Sequence, residues 1–143
     1  MKKILQKKNW IRVVCGLCFL IIALTGCGSQ PLSDQFDEDT VKESAEQAVA
    51  YFNERDYQAI IDMGDDVLKE NITVENFAAQ CDPYLDKCGE YQEIEKTIVF
   101  GSTDKSTETE YAGIVMIGKY EEGTIQFTIG FDEDMKIVQF LIK

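Results

Sequence analysis

Few side chains in this chain suit chemistry, and those few come in clusters. Asp62, Asp65 and Asp66 lie beside Gly64. Paired carboxylates serve as general acid and base when burial separates their proton affinities. The same oxygens suit Ca²⁺, which takes six to eight of them, and Asp132-Glu133-Asp134 is a second such group. Neither has the spaced D-x-D-x-D-G order that specifies a calcium loop. Both read as solvated turns, and no metal or other cofactor is expected. Histidine is absent, which removes the commonest general base and metal ligand. Cys81 and Cys88 lack the C-x-x-C spacing of a redox pair. No catalytic residue emerges, so the expected protein is not an enzyme.

The elements that position these groups begin with three helices. Thr40-Val41-Lys42-Glu43 has the form of a capping box. Val41, Ala45, Ala48, Val49 and Phe52 then make one apolar stripe. Asp56 suits the cap of a shorter helix over 57–63, with Ile60 and Ile61 inward. Gly64-Asp65-Asp66 interrupts it before Val67 and Leu68 pack again. Thr73 suits the cap of a third helix over 74–88, ended by Gly89 where φ > 0 is needed. Pro83 should kink that helix or start a new turn. Phe77, Cys81, Tyr84, Leu85 and Cys88 fall on one face. On an unbroken helix the two thiols sit roughly 10 Å apart, beyond the ~7 Å between Cα atoms that a disulfide tolerates. Either the helix breaks at Asp82-Pro83 and a bridge forms, or both thiols pack in the core. The second is the preferred expectation.

After Gly89 the period changes from helical to alternating. Ile94, Ile98 and Phe100 mark a strand, and 102–110 reads as a polar loop. The next strand, 111–120, is apolar on both faces at Ile114, Val115, Met116 and Ile117, as if covered on both sides. Glu121-Glu122-Gly123 makes a hairpin. Ile125, Phe127, Ile129 and Phe131 point inward on the third strand. Asp132-Glu133-Asp134 turns into the fourth, where Val138, Phe140 and Ile142 share a face. The fold class is α+β, with three N-terminal helices packed on a curved four-stranded antiparallel sheet.

The helix-one stripe, the helix from Phe77 to Gly89 ahead of Tyr91, and the closing Phe131-Asp132-Glu133-Asp134-Met135-Lys136-Ile137 resemble a bacterial domain of unknown function. That family occurs in small lipoproteins and ahead of some alpha/beta hydrolases. The resemblance covers about 41–143 and implies a cystatin-like fold, akin to nuclear transport factor two. Many domains of that fold carry Gly where this chain has Met135. The fold implies a cone between helices and sheet, with Tyr51, Phe52, Tyr57, Tyr84 and Phe127 as candidate lining residues. A small enzyme with carboxylates at the mouth of an apolar cone is the alternative class. A cone filled by Phe52, Phe77, Phe127 and Phe140 would leave it no room.

The first residues read as an address. Lys2, Lys3, Lys7, Lys8 and Arg12 precede an apolar run at 13–24, with no acid before Cys27. The run spans roughly 18 Å as a helix, short of the ~30 Å of a hydrocarbon core. This is the secretory signal pattern. Leu24-Thr25-Gly26-Cys27 resembles the lipobox of bacterial lipoproteins. The resemblance implies lipid on the Cys27 thiol and cleavage between Gly26 and Cys27. The expected organisation is a signal peptide at 1–26, a lipidated cysteine and flexible tether at 27–39, and one domain at 40–143. The lipid on Cys27 would hold that domain at the extracytoplasmic face of the bacterial cell membrane. From Cys27 onward nine bases face twenty-six acids, a net of −17. Such a surface repels phosphate backbones. Nucleic acid is not expected as a partner; an envelope protein or a small ligand is.

Overall fold

The structure, a computed structural model, describes residues 30–143. The signal segment, Gly26 and Cys27 lie outside them. The chain divides into Met1–Gln30 and Pro31–Lys143, and the second unit is described here. It contains α1 (Glu38–Asn53), α2 (Tyr57–Asp62), α3 (Asp66–Asn71) and α4 (Val74–Cys88). Then come β1 (Tyr91–Asp104), β2 (Thr109–Tyr120), β3 (Gly123–Phe131) and β4 (Ile137–Ile142). The strands form one antiparallel sheet in the order β1-β2-β3-β4. Helices followed by a meander is the α+β arrangement the period change predicts.

Four helices stand where the sequence suggests three, because Gly64-Asp65 divides the second. A side chain at Gly64 would run into Leu68, and Asp65 starts a new helix by accepting the Leu68 N–H at 2.8 Å. Leu68 is buried, whereas Val67 lies exposed on the outer side of this single turn. The first helix is capped by Asp37 rather than Thr40. The Asp37 carboxylate accepts both the Thr40 N–H at 2.9 Å and its hydroxyl at 2.8 Å. Those two bonds hold the Asp37 carboxyl below the usual range. The packed unit also begins before residue 40. Phe36 is buried, and Ser33 and Gln35 donate to the Glu110 carboxylate at 2.7 and 2.8 Å. The Pro31 carbonyl lies where any Cβ at Gly101 would collide. Residues 31–39 are therefore docked on the packed unit.

The α1 stripe predicted from spacing is buried in full. It packs with Ile60 and Ile61 of α2 in the core that Ile114, Met116, Ile125, Phe127, Ile129 and Phe131 build from the sheet. Helices cover one face only. Val115 and Ile117 are half-buried and Ile98 is exposed on the other face. The continuous apolar run in β2 therefore does not mean cover on both sides. The 102–110 loop shrinks to 105–108, because the Asp104 carboxylate accepts the Ser106 N–H at 2.8 Å and its hydroxyl at 2.6 Å. The α4 helix runs through Pro83. Ala79, whose carbonyl loses that donor, is exposed, so the carbonyl is open to solvent. Gly89 ends the helix at φ 75°. Cys81 and Cys88 are free and buried, as expected of core thiols on an unbroken helix.

Candidate functional site

Aromatic rings fill the space between helices and sheet. Phe52 of α1 meets Phe127 of β3 edge to face at 5.0 Å, and both lie within 6.2 Å of Phe140 on β4. Phe77 of α4 closes the stack, 5.5 Å from Phe140 and 5.2 Å from Tyr57. Ring pairs at these separations add about 0.5–1.5 kcal/mol each beyond the area they bury. The centre of the cone is thus packed core.

What stays open is the mouth. A groove of about 400 Å³ lies between α4, the end of α3 and β4. Its floor is Ile72, Phe77, Cys81 and Phe140, and Asn76, Gln80 and Tyr84 stand on the α4 rim. Burial pushes the Cys81 thiol up to about 12, with the Asp82 charge adding to the effect. It is a poor nucleophile there. The edge of β4 forms the opposite wall. Lys143 and Gln126 exchange both main-chain bonds across β3 and β4, at 2.9 and 3.1 Å. At the other end, Ile137 donates to the Met63 carbonyl at 2.9 Å and accepts from the Asp65 N–H at 3.0 Å.

The opposite flank of α4 is tied to the turn between α1 and α2. Arg55 donates to Asp82 at 2.9 Å and Asp86 at 2.6 Å, and the Tyr57 hydroxyl donates to Asp82 at 2.5 Å. Burial first, and then the bond to Asp82, raises the Tyr57 phenol above its ordinary value. Arg55 has φ 58°. It sits just past α1, where Asp56 N–H reaches the Tyr51 carbonyl at 2.9 Å and Arg55 N–H reaches Phe52 at 3.0 Å. This is a Schellman ending, whose left-handed position usually holds Gly.

The candidate residues are not brought together as a site. Phe52 and Phe127 are fully buried within the stack rather than lining a void. Tyr57 is buried against Asp82, and Tyr51 is half-buried against the core. Of the five proposed lining residues, Tyr84 alone borders the open groove. The acids disperse as well. Asp62 is exposed and accepts from Gln58, Asp65 caps α3, and Asp66 points outward. Asp132 closes its own turn by accepting the Asp134 and Lys136 N–H groups. No cluster of three metal-ligating side chains exists among the described residues. The rim amides Asn76 and Gln80 were not foreseen. They are polar positions on an amphipathic helix, and only the course of β4 turns them toward a groove.

The arrangement is a helical layer over one face of an open antiparallel meander, with a packed cone and a shallow mouth. By residues 45–140 the chain belongs to the family described as "Protein of unknown function (DUF3887)". It is similar to a protein from Ruminococcus gnavus ATCC 29149 whose structure was determined by NMR. The identity is 27%, the TM-score 0.69, and the match covers 79% of this chain and 96% of that one. No curated protein matches the chain.

Proposed function

We propose that this is a lipid-anchored binding domain, held by Cys27 at the extracytoplasmic face of a bacterial membrane, which engages a partner without transforming it. The observation that carries the binding half is the ring stack of Phe52, Phe77, Phe127 and Phe140. It occupies the volume a buried active site would use. The groove left at the mouth is flanked by neutral amides and one tyrosine. Side chains of these types hold a ligand by contact and hydrogen bonding, and none is poised to move a proton at neutral pH.

The anchoring half is supported by sequence. Basic residues, a short apolar run and Leu24-Thr25-Gly26-Cys27 stand in the order that export and lipid attachment require. Acyl chains contribute about 0.8 kcal/mol per buried CH₂, so two or more hold a protein stably. A domain at −17 gains nothing from anionic headgroups and depends on that lipid. The test is fractionation of cells expressing the wild type or Cys27→Ser, with mass spectrometry of the mature amino terminus. The wild type should sediment with membranes and carry diacylglyceryl on Cys27, and the variant should leave the membrane fraction. Equal sedimentation of both overturns the anchor.

A further inference from the structure

We infer that the α4–β4 groove takes an extended peptide segment of a partner protein, which joins the sheet as a fifth strand on the free edge of β4. The inference rests on the binding-domain reading and names its partner's chemistry.

Antiparallel neighbours alternate between pairs that exchange both main-chain bonds and pairs that exchange none. Lys143 and Gln126 are a bonded pair. By the register, Leu141 is therefore bonded to Thr128, and Phe140 and Ile142 are not bonded to Ile129 and Phe127. Their N–H and C=O groups turn away from β3, into the groove that Phe140 and Ile142 help to line. Among the described residues these groups meet no partner. Unpaired edge groups are a template for another chain.

The molecule already uses this edge once. At Ile137 the 63–65 segment lies beside β4 as a parallel bridge centred on Gly64. That strap ends where α3 begins; α3 packs beside β4, and the groove opens at Phe140, Leu141 and Ile142, by the end of that helix. A strand laid there would sit about 4.8 Å from β4, inside the space that α4 walls off.

The chemistry selects the occupant. Outward groups at Phe140 and Ile142 repeat at two-residue spacing, about 6.8 Å, which only an extended backbone matches. Alternate side chains would fall on Ile72, Phe77 and Tyr84, so every second residue should be apolar, and the others would lie beside the exposed Leu141. A second copy of this chain fits poorly. Each carries −17 from Cys27 onward, so edge-to-edge pairing would set two strongly acidic surfaces against each other. An acid-poor or basic segment is favoured instead. This is strand addition, in which main-chain bonds supply affinity and alternate pockets supply specificity.

The experiment uses the full chain, ¹⁵N-labelled in detergent micelles. The probe is a ten-residue peptide of alternating Val and Thr with Lys at each end. Two further forms are N-methylated, one at every Val and the other at every Thr. The unmodified peptide should shift the Phe140 and Ile142 amide signals and slow their hydrogen exchange at least tenfold. One methylated form should bind at least tenfold more weakly. Ile142→Pro deletes an outward N–H while sparing the bonds of Leu141 and Lys143 to β3, and should weaken binding at least tenfold. Gln80→Trp fills the groove from an exposed helix position without touching the edge, and should do the same in a folded chain. The proposal is overturned if those two amides are already protected in the free chain. It is overturned equally if the peptide leaves them unmoved at ~1 mM, if both methylated forms bind as the parent does, or if both variants bind unchanged. Any of these results leaves the Cys27 anchor to its own test.

Discussion

On one flank of α4, Asp82 and Asp86 are gripped by Arg55 and Tyr57 from the turn between α1 and α2. On the other, the side chains of Asn76, Gln80 and Tyr84 border a groove and meet no hydrogen-bonding partner among the described residues. Both flanks rise from the same buried row of Phe77, Cys81, Leu85 and Cys88. The clamped flank carries a cost, since a left-handed Arg55 is disfavoured by about 1–2 kcal/mol relative to a helical conformation. The open flank carries none of this. Its polar groups remain available for a ligand, and stability has been placed on the other side of the helix.

The largest test addresses the ring stack that Phe77 of that row joins. Phe52→Ala removes the ring that touches Tyr57, Phe127 and Phe140. It should lower the unfolding free energy by about 3–5 kcal/mol, measured by urea titration. A loss below ~1 kcal/mol would mean that the stack collapses to fill the gap and does not fix the cone.

Next in size is the clamp. Tyr57→Phe removes a bond to a charged acceptor and should cost about 1.5 kcal/mol. Arg55→Ala should cost about 1 kcal/mol, because its ion pairs are partly exposed. The two share Asp82, so the double variant should depart from additivity by about 0.5 kcal/mol or more. Arg55→Gly should be more stable than Arg55→Ala by about 1 kcal/mol, as the left-handed strain is relieved. Simple additivity, or Gly no better than Ala, would remove the argument that the clamp justifies the strained turn.

Buried titratable groups on both sides of α4 give a pH dependence. Tyr57 and Tyr120 are raised chiefly by burial, and Cys81 is raised by burial to about 12. Each folded group keeps its proton where the unfolded chain releases it. Stability from these groups is complete below the unfolded values, near 9 for the thiol and 10 for the phenols. It falls as pH rises from there through the folded values. Melting temperature should therefore decline above about pH 9. Tyr57→Phe should flatten that decline, and a variant with an unchanged slope would show that the phenol does not contribute to it.

How far these flanks were legible in the chain follows from the range of the forces. Spacing alone located α1, α4 and β3, because their apolar stripes each answer to one layer. It placed the α1 cap at Thr40 where the structure has Asp37, since both types suit that role. The docking of 31–39 was invisible in composition, because it turns on Gly101 and Glu110, some seventy residues away. The acids near Gly64 looked convergent in one dimension. A new helix turn at Asp65 points them apart. Met135 was legible in part: Gly is usual there in the fold, and the residue has φ 59°.

The smallest effect bears most directly on the comparison. Gln80 is exposed, and its side chain bonds to nothing described. Gln80→Ala should change stability by less than about 0.5 kcal/mol, with a slight gain from helix propensity. Asp86→Ala, six residues along the same helix, gains the same propensity but loses the 2.6 Å pair with Arg55. It should come out less stable than Gln80→Ala in paired thermal melts. The two substitutions leave the same methyl group on an exposed helix surface, so propensity nearly cancels between them. What remains is the difference between a side chain the fold uses and one it leaves free. If Gln80→Ala proves the costlier, the groove side of α4 is part of the fold's own support rather than a surface held open for a partner.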